Sequence, residues 1–209
     1  MVIGIVDYGL GNLGSVANML KRIGVKSIIT SDAAVLRGVR ALILPGVGHF
    51  DRGMQNLKAR GLKPVLDELV LEKKTPILGI CLGMQLLARR SEEGREPGLG
   101  WIAGDVKRFA FPAGDAHVIP HMGWNEIEPV GNGLFGRVPE LPPRFYFVHS
   151  FHLVLDDAAD ALAWCSYGYR FAAAVHKGHI WGTQFHPEKS HKFGKAVLEA
   201  YAREVGLAA

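Results

Sequence analysis

Cysteine is scarce in this chain of 209 residues, which contains only Cys81 and Cys165. Two isolated cysteines give none of the paired spacings that hold zinc, and they do not form the framework of a disulfide-rich secreted protein. The scarcity therefore predicts a cytoplasmic protein without disulfides. We expect no metal site and no cofactor, and we expect Cys165 to serve only in strand packing.

Long apolar runs and clusters of basic charge are missing as well. No stretch approaches the roughly 20 apolar residues of a membrane span, and the first residues lack the charged segment that begins a signal peptide. The net charge is +4, but the basic residues are spread along the chain, without a basic arm or a patch interleaved with aromatic residues. Neither a membrane nor a nucleic acid is therefore expected as a partner.

What the chain does contain is a regular alternation of strand-like and helix-like segments up to residue 90. Apolar runs at 2–6, 27–30, 41–44 and 77–80 alternate with helical spacing at 15–23, 54–58 and 63–71. This order is typical of βαβ units, in which helices flank a mostly parallel sheet.

The C-terminal half has a different pattern. Short strand-like runs lie at 145–148, 163–167, 172–175 and 180–184, before a helix-like stretch at 191–205. These runs predict antiparallel strands added to the sheet, because turn residues and not helices separate them. The length fits one α/β domain over residues 1–209.

The sequence Gly79-Ile80-Cys81-Leu82-Gly83 lies where an apolar run gives way to helix-forming residues. A nucleophile with glycine two residues to either side, at a strand-to-helix turn, is typical of a nucleophile elbow. The N–H groups at the start of a helix favour the thiolate there. A buried, inert thiol is the alternative, but the surrounding motif favours Cys81 as a nucleophile.

A second motif, His186-Pro187-Glu188, follows the last strand-like run. Pro187 disfavours a helical backbone at His186, so we expect an extended segment in which His186 and Glu188 face the same side. A carboxylate that accepts the Nδ1–H of an imidazole leaves Nε2 free to take a proton from a thiol. The spacing therefore predicts a histidine base with its orienting carboxylate.

A glycine-rich turn, Pro45-Gly46-Val47-Gly48, follows the third strand-like run. Such a turn can point backbone N–H groups at a developing oxyanion, together with the N–H of Leu82. By itself the same turn is also consistent with a simple end to a strand.

A competing motif, Gly-Leu-Gly-Asn-Leu-Gly at residues 9–14, matches the dinucleotide-binding pattern, and Asp32 follows at the spacing of a ribose-binding carboxylate. Asp7 and Tyr8 crowd this loop, and a carboxylate there would repel a pyrophosphate. A nucleotide-binding dehydrogenase nevertheless stays open as the alternative from a different class of protein. A scaffold without catalysis is a third alternative.

Taken together, the motifs at residues 45–48, 79–85 and 184–190 resemble those of class I (triad-type) glutamine amidotransferases, in sequence, order and spacing. Further segments at 7–12, 45–50, 121–125 and 146–150 are similar to one branch of that family. The members of this branch are glutaminase subunits that supply ammonia to a cyclase, which makes imidazole glycerol phosphate and aminoimidazole carboxamide ribotide in histidine biosynthesis. A glutaminase of another amidotransferase pathway is the alternative within the family.

The resemblance implies hydrolysis of the side-chain amide of L-glutamine through a γ-glutamyl thioester on Cys81. His186 would move the protons, and Glu188 would orient His186. The implied substrate-binding residues are Gly46, Val47, Leu82, Gln85, His149 and Ser150. The implied partner is a (β/α)8-barrel cyclase subunit in a heterodimer, with Asn12 and Trp124 as interface candidates.

Overall fold

A computed structural model describes residues 2–139 and 142–207, so the outermost positions of the predicted 1–209 domain lie outside the described part. The first half contains, in chain order, β1 (Ile3–Val6), α1 (Leu13–Arg22), β2 (Ser27–Thr30), α2 (Ala33–Arg37), β3 (Ala41–Gly46), α3 (Phe50–Ala59), α4 (Leu62–Asp67), β4 (Ile77–Cys81) and α5 (Leu82–Leu86). The second half contains β5 (Gly104–Arg108), β6 (His121–Glu126), β7 (Glu128–Pro129), β8 (Arg144–His149), β9 (Phe151–Leu155), β10 (Ala161–Tyr167), β11 (Tyr169–Lys177), β12 (Ile180–Thr183) and α6 (His191–Glu204).

The central sheet has eight strands in the order β2-β1-β3-β4-β12-β11-β10-β7. The first five run parallel to one another, whereas β11, β10 and β7 are added antiparallel. This confirms the predicted α/β fold with antiparallel additions from the C-terminal half. Two small ribbons, β5–β9 and β6–β8, lie outside this sheet.

Apolar layers cover both faces of the sheet. One layer packs against α1 and α6 through residues such as Val16 and Tyr201, and the other packs against α3 and α4 through residues such as Phe50 and Leu66. Burying one such side chain contributes about 1.5–3 kcal/mol. Cys165 on β10 is buried in the first layer, as expected of a packing residue, and burial raises its pKa to about 12.

Three of the four strands in the two small ribbons are not predicted individually from the sequence. β5, β6 and β9 lie in stretches for which no individual strand is predicted. In β6 the polar His121 and Asn125 point inward, whereas Met122 and Trp124 are exposed. Because the hydrophobic alternation is reversed, β6 lacks the pattern that identifies a half-buried strand.

The parallel strands β1, β3, β4 and β12 end at the same edge of the sheet. In an open α/β sheet, ligands bind in the crevice outside the carboxyl ends of such strands. The segments that follow these strands contain residues 9–14, the turn after Gly46, the start of α5 and the His186 region. The fold therefore brings the sequence motifs to one edge.

Glycines at 79 and 83 allow β3, β4 and α5 to approach closely. A Cβ at Gly79 would lie 2.7 Å from the carbonyl oxygen of Gly83, and a Cβ at Gly83 would overlap the carbonyl oxygen of Leu44. Real Cβ atoms do not approach backbone so closely, so both positions require glycine. The two glycines predicted to flank the nucleophile are thus needed for packing.

We therefore expect Gly79→Ala to lower the free energy of unfolding by about 1–3 kcal/mol, the usual cost of overpacking. Gly14→Ala is the matched control, because Gly14 lies in the first turn of α1 with no atom within 4 Å of the added Cβ. Alanine there should be neutral or stabilise by up to about 1 kcal/mol. Urea unfolding of the two variants measures the difference, and equal stability would contradict this account of the elbow.

Candidate active site

Cys81 ends β4 and immediately precedes α5, with backbone angles of φ +53° and ψ −110°. A residue other than glycine rarely adopts a positive φ, and such a conformation costs on the order of 1–3 kcal/mol. The surrounding packing holds the residue there, and the strand-to-helix turn predicted from the motif is present. Its side chain is only 6% exposed.

His186 and Glu188 form a buried pair beside the elbow. Nδ1 of His186 lies 2.8 Å from Oε1 of Glu188, and the side chains are 1% and 2% exposed. His186 has the extended backbone expected before a proline, with φ −99° and ψ 97°, but Glu188 lies in a 3-10 turn, Pro187–Lys189. The predicted pairing is present, although a tight turn and not an extended strand produces it.

The charge state of His186 depends on its two neighbours. Burial, the largest single influence, lowers the pKa, but interactions with Cys81 and Glu188 outweigh it and raise the pKa of His186 to about 9. Among the described residues, Nε2 has no aligned hydrogen bond, although Cys81 is close enough to act on the ring. Such loose alignment is common in a substrate-free site and tightens when substrate binds.

A cavity of about 370 Å³ opens in front of Cys81 and His186. Five of the six predicted substrate-binding residues also line it: Val47, Leu82, Gln85, His149 and Ser150. The sixth, Gly46, lies behind the wall, where an added Cβ would be 2.9 Å from the amide nitrogen of Gly83. The volume falls in the range of small-molecule sites.

Glu93 lines the same cavity but belongs to the stretch 92–100, which is rich in charged residues and glycine in the sequence. Its Oε2 accepts the amide of Phe50 at 2.8 Å, which fixes the carboxylate at the start of α3. Glu93 therefore contributes negative charge to a cavity whose other walls are mostly apolar. No local pattern identifies it, because its contact lies 43 residues away along the chain.

Gln85 presents one particular atom to the cavity. Its Nε2 donates to the carbonyl oxygen of Phe151 at 2.9 Å and to Oε1 of Gln184 at 3.0 Å. Both hydrogens of the amide are therefore used, so Oε1 is the polar atom of this side chain that remains for a ligand.

His149 lines the cavity, and both nitrogens of its ring are already engaged in contacts. Nδ1 lies 2.8 Å from the carbonyl oxygen of Phe151, and Nε2 lies 3.0 Å from Nδ1 of His121. Burial lowers the pKa of His149 to about 3. A neutral ring bonded at both nitrogens leaves only backbone groups for a substrate.

The interface candidates lie on the surface. Asn12 is exposed at the start of α1 and makes no capping hydrogen bond with its side chain. Trp124 is 47% exposed and stacks on His191, with ring centroids 5.5 Å apart. An exposed tryptophan is typical of an interaction surface.

The acidic residues of the competing dinucleotide motif have other partners. The carboxylate of Asp32 accepts the amide of Ala34 at 2.7 Å and caps α2, and the carboxylate of Asp7 accepts the amide of Gly9 at 2.9 Å. Asp32 thus has a structural role as the cap of α2, which accounts for its position without a bound nucleotide. Within residues 2–139 and 142–207, no group of three acidic, histidine or cysteine side chains is arranged to hold a metal. No helix in that same part of the chain is long and apolar enough to cross a membrane.

A model of the family described as glutamine amidotransferase class-I matches residues 4–204. The chain belongs to this family. A Pseudomonas aeruginosa protein named imidazole glycerol phosphate synthase subunit HisH 2 is 47% identical over 96% of this chain and 98% of its own. A HisH subunit from Leptospira borgpetersenii is 46% identical over 96% of this chain and 99% of its own. These matches confirm the predicted class of enzyme.

Solved structures agree on the fold of this amidotransferase. One crystal structure of a glutamine amidotransferase has a TM-score of 0.73 at 22% identity and covers 99% of this chain and 100% of its own. A chain in the structure of PurLQS from Thermotoga maritima has a TM-score of 0.69 at 18% identity, over 97% and 98% of the two chains.

For this amidotransferase we expect the imidazole of His186 to titrate near pH 9 in the wild type. Glu188→Gln should lower that pKa, because the variant removes the negative charge that stabilises the imidazolium. Glu199→Gln, which alters a surface pair with Lys195, is the matched control and should leave it unchanged. Nuclear magnetic resonance of labelled histidine measures all three, and equal titration in wild type and Glu188→Gln would refute the pairing.

The raised pKa of His186 also predicts how the stability of the protein changes with pH. Because the folded pKa of His186 lies above the ordinary value of 6.5, its contribution is fully present below pH 6.5 and is lost as the pH rises through about 9. The free energy of unfolding should therefore fall over this window in the wild type, and fall less in Glu188→Gln. Denaturant unfolding at several pH values tests the sign.

Proposed function

We propose that this chain is the glutaminase subunit of an imidazole glycerol phosphate synthase, with Cys81, His186 and Glu188 as its catalytic triad. The 2.8 Å contact between the buried His186 and Glu188, next to Cys81 at the wall of the cavity, is the observation that supports this most strongly. The two HisH relatives, similar over nearly their whole length, support the choice of pathway. We also propose that one amidotransferase domain spans residues 1–209.

The first step is attack by the Cys81 sulfur on the amide carbon of glutamine. Because its pKa is about 9, His186 already carries a proton on Nε2 at neutral pH, and it gives this proton to the departing ammonia, which leaves a γ-glutamyl thioester. The neutral His186 then accepts a proton from water, the resulting hydroxide attacks the thioester, and glutamate leaves as the sulfur is released beside the protonated ring. Glu188 accepts the Nδ1–H throughout and stabilises the imidazolium.

Backbone N–H groups stabilise the oxyanion formed in each step. Leu82 lines the cavity and is the first residue of α5, so its N–H has no partner within the helix and serves as one donor. The turn after Gly46 supplies the second donor from Val47 or Gly48, and Val47 is exposed at the cavity rim. A donor of this kind contributes about 2.7–4 kcal/mol to the transition state.

The amino-acid end of glutamine binds to the polar atoms farther along the cavity. The Oε1 of Gln85 and the carboxylate of Glu93 accept from the α-ammonium group. Main-chain groups of His149 and Ser150 complete the wall. The apolar remainder of the cavity contacts the methylene groups of the substrate.

The ammonia is used by a partner. The relatives are named as subunits of a synthase, and we propose that the partner of this chain is a (β/α)8-barrel cyclase subunit. Asn12 and Trp124 contact that subunit, and the exposed Met122 beside Trp124 on β6 extends the apolar surface. The cytoplasmic location predicted from the cysteine content stays a prediction, and a glutaminase serving another acceptor stays the alternative.

The proposal predicts glutamate release from glutamine that depends on Cys81 and increases when the cyclase and its nucleotide ligand are added. Cys81→Ala should abolish release, because no other nucleophile lies at the elbow, and Cys165→Ala is the control that should retain it. Glutamate release at the same rate with and without the cyclase would assign the chain to another pathway. No release from the wild type under either condition would refute the glutaminase function.

The role proposed for Glu93 predicts a binding defect. Glu93→Gln should raise the KM for glutamine about tenfold or more with a smaller change in kcat, since a hydrogen bond to a charged group contributes about 1.5–3 kcal/mol. Glu96→Gln is the matched control, because Glu96 lies in the same loop and pairs with Lys58 outside the cavity. An unchanged KM in Glu93→Gln would remove Glu93 from the substrate site.

A further inference from the structure

Gln184 is buried directly behind the nucleophile. It follows β12, its side chain has no exposed surface, and its Nε2 lies 3.8 Å from the Cys81 sulfur, within hydrogen-bonding range for sulfur. We propose that Gln184 is a further catalytic residue, whose amide donates to the Cys81 sulfur in an orientation fixed by Gln85 and the carbonyl oxygen of Phe151. A separate series of hydrogen bonds from Asn125 ends at the same carbonyl oxygen. The inference rests on the proposed role of Cys81.

The orientation of the Gln184 amide decides whether sulfur faces a donor or an acceptor. An amide has two orientations that differ by exchange of oxygen and nitrogen, and the hydrogen-bond network must select one. Oε1 of Gln184 accepts from Nε2 of Gln85 at 3.0 Å. The reversed orientation would place two NH2 groups together and an oxygen against the sulfur, so Gln85 directs the donor toward Cys81.

Gln85 is itself oriented by an atom that only accepts. The second hydrogen of its Nε2 goes to the carbonyl oxygen of Phe151 at 2.9 Å. A carbonyl oxygen has two lone pairs, and the second accepts a hydrogen bond from Nδ1–H of His149, with the two atoms 2.8 Å apart. The backbone of Phe151 therefore joins the two glutamine side chains to a pair of histidines.

The protons on both histidine rings follow from this. Because the carbonyl of Phe151 only accepts, His149 carries its hydrogen on Nδ1 and accepts on Nε2. Nδ1 of His121, 3.0 Å away, must then carry the hydrogen of that ring. Nε2 of His121 accepts from Nδ2 of Asn125 at 3.2 Å. Every bond runs in one direction, from Asn125 to the carbonyl.

The start of the chain is equally fixed. Nδ2 of Asn125 also donates to the carbonyl of Ser166 at 3.1 Å, and its Oδ1 accepts the amide of Glu126 at 2.8 Å. Reversing the amide of Asn125 would therefore break both of these contacts. No member of the chain is free to turn without leaving two hydrogens or two lone pairs opposed.

Burial keeps the two rings neutral, as the chain requires. The ring of His121 packs between Phe147 and Tyr167, with centroids 4.8 and 4.1 Å away. Burial lowers the pKa of His121 to about 4 and that of His149 to about 3. Each ring then has one hydrogen and one lone pair at neutral pH.

Replacing the donor tests the role of Gln184. Gln184→Glu keeps the shape and the acceptor toward Gln85 but turns a carboxylate oxygen toward sulfur, and Gln184→Met removes the polar group. We expect iodoacetamide to alkylate Cys81 at least tenfold more slowly in both variants at neutral pH. The kcat for glutamine should fall in parallel, by more than the KM changes.

Thr183→Val is the matched control, because Thr183 is buried next to Gln184 and its hydroxyl donates to the carbonyl of Phe185, away from Cys81. Its alkylation rate should stay within about twofold of wild type. If Gln184→Glu fails to fold, Gln184→Met decides the outcome. Alkylation of Gln184→Met at the rate of Thr183→Val would overturn the inference and leave the Cys81-dependent glutaminase function standing.

The series of hydrogen bonds from Asn125 to the carbonyl of Phe151 predicts which nitrogen of each histidine carries the hydrogen. Long-range 1H–15N spectra of the full chain should show the Nδ1–H tautomer for both His121 and His149. Asn125→Asp should place a hydrogen on Nε2 of His121, because the carboxylate only accepts there. Alkylation of Cys81 should stay within about twofold of wild type in this variant, because Gln85 still donates to the carbonyl of Phe151. An Nε2–H signal on either ring of the wild type would refute the direction of the hydrogen bonds between Asn125 and that carbonyl.

Discussion

The active site depends on the close packing of β3, β4 and the start of α5. Glycines at 79 and 83 let three backbone segments meet where a Cβ atom does not fit. The same crowding holds Cys81 at a positive φ that the residue would not adopt alone. Removing either glycine would therefore disturb both the stability of the sheet edge and the direction of the sulfur.

Around this elbow, polar side chains are buried in hydrogen-bonded pairs, although Nε2 of His186 and Oε2 of Glu188 have no hydrogen-bond partner among the described residues. His186 with Glu188, and Gln85 with Gln184, lie in a region where an unpaired polar group would cost several kcal/mol. Such networks hold a geometry more firmly than exposed ones, because water is not available to replace a broken bond. The fold thus fixes the surroundings of the Cys81 sulfur without a bound ligand.

The sequence predicts the parts of the site that are local. The Cys81 elbow and the His186–Glu188 pair are short motifs. The spacing of their residues, together with Pro187 between His186 and Glu188, is therefore enough to predict them. Glu93 depends on a contact with the distant Phe50, and His121 lies on a strand whose apolar residues face outward. No hydrophobic periodicity in the sequence identifies Glu93 or His121 as a site residue. Asp32 matches a motif by spacing, but its carboxylate caps a helix.

Gln85 has an unusual position, because one side chain both faces the substrate cavity and orients the amide beside the sulfur. Selectivity and reactivity are therefore not separate properties of this site. A redesign that reshapes the cavity at Gln85 to admit a different amide would also alter the surroundings of the nucleophile. Directed evolution of new substrates would have to begin at residues such as Val47 or Glu93, which line the same cavity and are not among the described members of that hydrogen-bond network.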